Sequence, residues 1–426
     1  MRKLTLLVSV LYGAMCSVQA GALTPIHLKD AVAKAQTVSP QAEISDLQVD
    51  FASARSRQAR AKTGFQVGIE GELGASYVDF TSNDASLTPN QIGIGAQKVL
   101  YSSGQLEAGI KRSDLEIEAA KFGSEQTRNS LAMQTSLAYG NLWFAEQAVG
   151  IRQKKVETLN LHLRQADARF AQGENTKTDI SLAKARLAEA EAELAGAKAA
   201  LAAASATLSR LSGVEDPRTT IRDLETAIHI PVTGDVALNK VLGQYPGLQA
   251  AKASARAAGE GVREAKGGFG PKLSLDVSAG TAQDSFFFFT DRINDTKALL
   301  KFSVPLYTSG MKKASVDAAR VQKAIAEARI RDTALKLREQ YTSLQGRLAA
   351  RRAALAAAKR GVEAATNRTS GARKEYEAGL RTFVNLMDAE DERRIAEIRK
   401  AAAERDLFAT KIRLLELMGA LNSQLN

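Results

Sequence analysis

Few residues of this chain have types and spacing that could do covalent chemistry, and none of them combine. His27, His162 and His229 are scattered without metal-ligand spacing. Ser181-Leu182-Ala183-Lys184 has the S-x-x-K form and Lys62-Thr63-Gly64 the K-T-G form of an acylating serine site. However, Lys62 precedes Ser181, no S-D-N occurs, and Ser181 falls within a heptad-patterned helix. No P-loop, dinucleotide fingerprint, zinc-protease motif or nucleophile elbow is present. The sole cysteine, Cys16, lies in the first twenty residues, so neither disulfide nor thiolate chemistry is expected in the mature chain. These residues support no enzyme, no metal and no cofactor.

The elements that would position any site are themselves duplicated. Leu-Tyr-Ser-Ser-Gly at 100–104 returns as Leu-Tyr-Thr-Ser-Gly at 306–310, an offset of 206 residues. Pro40 and Pro246, Gly173 and Gly379, and Gly213 and Gly419 keep that offset. Rare, conformation-setting residues at one spacing mark two copies of one unit. Residues 21–214 form the first and 245–426 the second, joined by a linker at 215–244 containing Pro217, Pro231 and Gly234.

Residues 1–20 read as a secretory signal: Arg2 and Lys3, an apolar run from Leu4 to Ala14, and Val18-Gln19-Ala20 as the cleavage site. The residue before Cys16 is Met15, which disfavours lipidation. Formal charge is +11, or +9 once Arg2 and Lys3 leave with the signal. The basic residues are interspersed with acidic ones along helical faces, which argues against nucleic-acid binding. Beyond the signal no run of ~18 apolar residues occurs, so no membrane-spanning helix is expected.

Each copy opens with a helix and then switches to a two-residue period. Val67, Ile69, Leu73 and Tyr77 alternate with Gln66, Gly68, Glu70 and Glu72; after a polar turn at 81–89, Ile92, Ile94 and Ala96 alternate with Gln91, Gly93 and Gln97. This predicts a hairpin over 65–100, and the same pattern predicts a second over 271–305. Both have the length and weak alternation of membrane-barrel strands. Phe286 to Phe289, at the second loop, read as an aromatic anchor at the membrane interface.

After each hairpin comes a long helical run. From Gly104 to Gly173 there is no proline, and a continuous helix there would reach about 100 Å. Beyond Gly173 a heptad sets in: Ile180, Leu187, Leu194, Leu201 and Leu208, with Ala183, Ala190, Ala197 and Ala204 between. Such a seam requires the preceding helix to fold back beside it, with tips near 173 and 379. In the second copy Arg393 and Lys400 interrupt the seam, so that part of the helix is expected to face water.

Four strands cannot close a barrel in lipid, where open edges leave backbone groups unsatisfied. Copies must therefore share one barrel. Two-fold symmetry gives 8 strands and a filled interior; three-fold gives 12 and a water-filled bore, which we favour. A water-soluble coiled-coil scaffold or adaptor is the alternative class, but it has no use for two membrane-length hairpins.

Taken together, the duplicated unit, the strand exits and two tip motifs resemble the TolC family of outer-membrane channels over nearly the whole mature chain. The tips read Arg169-Phe170-Ala171-Gln172-Gly173 with Thr178-Asp179, and Tyr376-Glu377-Ala378-Gly379-Leu380-Arg381-Thr382 with Asp388. The resemblance implies an α+β membrane protein: a homotrimeric 12-stranded outer-membrane β-barrel continued by an antiparallel coiled-coil helical tunnel in the periplasm. Its partners would be outer-membrane lipid, a periplasmic adaptor and an inner-membrane ABC or proton-driven transporter, in type I protein secretion or drug efflux. The missing lipidation cysteine leans toward secretion. Carried over by motif, Thr178 and Asp179 would face Tyr376 and Arg381 in a periplasmic gate. Asn385 and Asp388 would line the pore constriction, with Asn385 replacing an acidic residue. Gly173, Gly379 and Leu380 would dock the adaptor.

Overall fold

The computed structural model describes residues 24–78, 85–173, 176–230, 235–283 and 292–421; the expected signal and Phe286–Phe289 lie outside them. The first copy runs β1 (Thr24–Ile26), α1 (Leu28–Val38), α2 (Pro40–Ala61), β2 (Gln66–Leu73), β3 (Ser76–Val78), β4 (Ala85–Leu87), β5 (Asn90–Tyr101), α3 (Gln105–Ala171) and α4 (Lys177–Ser212). The second runs β6 (Pro217–Thr219), α5 (Asp235–Gln244), α6 (Pro246–Gly267), β7 (Lys272–Gln283), β8 (Ile293–Ser303), α7 (Met311–Glu377) and α8 (Phe383–Leu417).

The duplication appears directly in the backbone. Helices α2 and α6 each have 22 residues and begin at a proline, whose missing N–H is harmless there. Helices α3 and α7 each have 67 residues. The left-handed residues Ser103, Gly104, Gly173 and Gly213 recur as Ser309, Gly310, Gly379 and Gly419. The stretch 215–244, expected to be a plain linker, contains β6, which pairs in parallel with β1, and α5, the repeat mate of α1.

Strands β2, β5, β7 and β8 form one antiparallel sheet in that order, so the two hairpins meet through β5 and β7. The first hairpin differs from expectation. Its ladder stops at Leu73 and Asn90, and β3 pairs with β4 as a separate ribbon. Pro89 has no N–H to give the ladder, and its carbonyl instead accepts from Gly74 N at 2.9 Å. Residues 85–87, assigned to the turn by sequence, are therefore strand.

Helices α2, α3, α6 and α7 pack side by side in the chain order of the four strands. Farther along, α3 packs with α4 and α8, and α8 with α7. A core joins Leu131, Tyr139, Leu142 and Trp143 of α3 to Phe408 and Ile412 of α8, with α1 and Leu224 over them. Tyr139 Oη donates to Ile26 O and accepts from Thr220 N, each at 3.0 Å, tying the C-terminal ends of β1 and β6 to α3. Gly140 admits Phe408: a Cβ there would lie 2.9 Å from its ring. The heptad alanines Ala183, Ala190 and Ala197 are buried, as close helix approach requires. Arg393 and Lys400, expected to face water, are half-buried and pair with Glu397 and Glu404 on their own helix.

Candidate functional site

The two hairpin tips are built from helix-end chemistry. Helix α3 ends in Gly173 (φ 79°), and α7 in Gly379 (φ 74°). Leu380 N closes the second tip by donating to Glu375 O at 2.8 Å. Neither glycine has a neighbour within 4 Å of a would-be Cβ, so conformation alone selects glycine at both. Helix α4 starts with a capping box. Asp179 N donates to Thr176 Oγ1 at 3.2 Å, while Thr176 N and Oγ1 donate to Asp179 Oδ2 at 3.1 and 2.8 Å. Thr382 caps α8 in the same way, accepting from Asn385 N. Asp179 and Asn385 are thus repeat mates at one helical position.

This placement changes the expected gate pairing within one chain. Asp179 turns its carboxylate to Thr176, and Thr178 is exposed in the first turn of α4. Tyr376 Oη instead accepts from Arg169 Nη1 at 2.8 Å, with the guanidinium also 5.0 Å above its ring. Arg381 pairs with Glu375 on its own hairpin. Asp388, expected at the constriction, is exposed and lies 3.6 Å from Arg186 of α4. Leu380 projects from the tip at 78% exposure.

Behind the tip sits a buried polar cluster for which the sequence carried no signal. His162 of α3 approaches Glu390 of α8, Nε2 to Oε2, at 2.8 Å. Arg373 of α7 donates to Glu390 Oε1 at 2.7 Å. Burial pushes the Glu390 carboxyl up, but the hydrogen bonds from His162 and Arg373 outweigh it and hold it below the usual carboxylate range. An ionised carboxylate only accepts, so His162 Nε2 is the donor. Phe383 packs edge-on to His162 at 5.7 Å and against Tyr376 at 5.9 Å. Two helical turns farther along α3, Lys155 bridges Asp391 and Glu193 at 2.6 and 3.3 Å. Burial would lower the Lys155 ammonium's pKa, but the two carboxylates outweigh it and raise it. Four helices, α3, α4, α7 and α8, are therefore locked together by charge-assisted contacts just inside the tip.

At the other end, register sorts the sheet into two faces. Val67, Ala96, Val277 and Ala298 form one row, and Ile69, Ile94, Ala279 and Thr296 another. The opposite face carries Gln66, Gln97 and Asp276 in one row and Gly68, Gly95, Ser278 and Lys297 in the next. Val67, Ile69, Ile92, Ile94, Leu300 and Phe302 are all exposed. Strands β2 and β8 each have one sheet neighbour. Among the described residues no helix is long and apolar enough to cross a membrane, and no acidic, histidine or cysteine cluster could hold a metal.

Comparison with known proteins matches this architecture. Residues 32–214 and 237–420 each fit the profile of the family described as outer membrane efflux protein. The outer membrane efflux protein BepC of Brucella suis biovar 1 (strain 1330) is 26% identical over 367 residues, covering 86% of this chain and 79% of that protein. The outer membrane protein TolC of Escherichia coli (strain K12) is 22% identical over 412 residues, covering 93% and 83%. The crystal structure of the Campylobacter jejuni CmeC outer membrane channel superposes with a TM-score of 0.80 at 14% identity, covering 92% and 85%.

Proposed function

The chain belongs to the outer membrane efflux protein family of TolC-like transport channels, and from that membership we propose that it is the exit duct of a tripartite export system. Three copies would close a 12-stranded barrel over one helical tunnel. An inner-membrane pump would hand cargo to it through a periplasmic adaptor.

One observation supports the assembly: the strand-exit residues at the β8–α7 edge are more exposed than their repeat mates inside the chain. Tyr101 is 54% exposed and its mate Tyr307 87%; Leu100 is 48% and Leu306 94%. The more exposed members lie at the β8–α7 edge. At the opposite edge, α2 exposes Ile44, Leu47 and Phe51 at helical spacing. Joining α7 and β8 of one copy to α2 and β2 of the next covers both apolar edges and satisfies both open strands. Such a head-to-tail contact closes into a ring.

At the tips we assign Thr178, Asp179, Tyr376 and Arg381 to the gate, with contacts between copies added to those within one. Asn385 and Asp388 line the constriction, where three-fold symmetry makes Asp388 a ring of carboxylates. Gly173, Gly379 and the projecting Leu380 supply the adaptor-docking surface. Protein secretion is the first cargo reading. Small-molecule efflux is the second, favoured by the similarity to a relative named as an efflux protein. Trimers purified from outer membranes should form long-lived pores in planar bilayers; a detergent-independent soluble monomer would refute the duct. A deletion strain should lose one class of export, and whichever fails, polypeptide release or drug resistance, selects the cargo.

A further inference from the structure

We propose that the helix-side rim of the strand sheet binds anionic glycerophospholipid headgroups of the adjacent membrane leaflet. The inference rests on the barrel reading and adds a lipid preference to it. Register places Tyr101, Leu273 and Phe302 in one row at the foot of the apolar face, with Lys98, Leu275 and Leu300 in the row above. Lys98 therefore stands among lipid-facing residues. Its Nζ lies 5.0 Å over the ring of Phe65, the residue just before β2. Phe65, Tyr101 and Phe302 are all more than half exposed. Aromatic side chains at the end of an apolar band sit at headgroup depth, and a lysine there extends its ammonium to the same level.

More cations flank that rim along the chain. Lys62 caps α2 three residues before Phe65, and Lys312 and Lys313 open α7 after β8. Among the described residues, none of Lys62, Lys98, Lys312 and Lys313 forms an ion pair with a carboxylate. Two strand lysines on the opposite face are different: Lys301 pairs with Asp276, and Lys297 with Asp295. Those two bore-side lysines are thus neutralised within the chain, while Lys98 on the apolar face is left for an external anion. Phosphodiesters suit such point charges, and an anionic leaflet supplies them as a surface. The rim lies at the helix end of the sheet, so the leaflet is the one facing the helices, not the one holding lipopolysaccharide.

The test uses full-length trimers in nanodiscs of phosphatidylethanolamine with one-fifth phosphatidylglycerol, reading co-released lipids by native mass spectrometry. Phosphatidylglycerol should be enriched around the wild type. A variant carrying Lys98→Gln, Lys312→Gln and Lys313→Gln should lose at least about fivefold of that enrichment, the preference that a single lysine near an anionic surface confers. A control with Lys198→Gln, Lys323→Gln and Lys336→Gln removes equal charge far from the rim and should keep it. Millimolar inorganic phosphate should not compete. Equal retention of both lipids, unchanged enrichment in the rim variant, or equal loss in the control overturns the inference. So does preferential retention of lipopolysaccharide in discs containing it. The same preparations are tested in planar bilayers. Missing enrichment in conducting trimers sinks the lipid site alone, whereas missing enrichment in protein that forms no pore sinks the duct with it.

Discussion

His162 and Glu390 are 228 residues apart in the chain, and their side chains meet at 2.8 Å with each only 8% exposed. The contact joins α3 to α8, and Arg373 extends it to α7. Glu390→Gln would leave a buried imidazole and a guanidinium without their shared anion. Breaking a buried pair from one side typically costs about 3–5 kcal/mol. We expect intact trimers whose tips are cut faster by trypsin near Arg373, with unchanged cleavage near the sheet.

The same carboxylate sets a pH dependence. Its folded pKa lies below the ordinary 4.5, so the stabilisation is present above that value and is lost as pH falls through the lowered one. Tip protection measured by hydrogen exchange should hold from neutral pH down to about 5 and collapse in stronger acid. The Glu390→Gln protein should show no such step.

Tyr376 ties Arg169 of α3 to Phe383 of α8, so its hydroxyl matters beyond its ring. Tyr376→Phe keeps the ring and removes the acceptor. Combined with Arg381→Ala, it should weaken the closed state and raise single-channel conductance in planar bilayers. Arg169→Ala alone should produce part of the same rise; unchanged conductance in all three would remove these residues from the gate.

Asp388 lies 3.6 Å from Arg186, which would offset the charge of the proposed carboxylate ring. Arg186→Gln should increase cation selectivity, read as a larger reversal potential in a salt gradient. Asn385→Asp should add to it by supplying a second ring. A reversal potential that stays fixed in both variants would place Asp388 away from the narrowest point.

The exposed α2 face offers a direct check on ring closure. Phe51→Glu puts a charge where an apolar neighbour is expected, and it should abolish the detergent-resistant trimer while leaving the helix content by circular dichroism unchanged. Leu380→Ser, on the exposed tip, should do the reverse: trimers persist, and export coupled to the adaptor falls.

The duplication, the two hairpins and the lengths of α3 and α7 were legible in the sequence because each depends on local rules. Proline and glycine set backbone dihedrals, and side-chain period follows the helix or strand that carries it. The family likeness was legible for the same reason: its tip motifs are helix caps, and Thr176 and Thr382 perform that role. The broken ladder at Pro89 could have been read from the missing N–H, and the α1 copy inside 215–244 from the repeat offset.

What pairs across the bundle was hidden. His162 looked isolated because Glu390 and Arg373 come to it from other helices, and side chains that meet only through tertiary packing leave no spacing to detect. Asp179 likewise reads in sequence as a gate carboxylate facing Tyr376 and Arg381, while within the folded chain its Oδ2 accepts from Thr176 N and Oγ1. Local chain physics thus determined the elements and their order. Only the three-dimensional packing decided which charges are spent inside the chain and which remain for neighbours, because an ion's partner is set by distance in space rather than along the backbone.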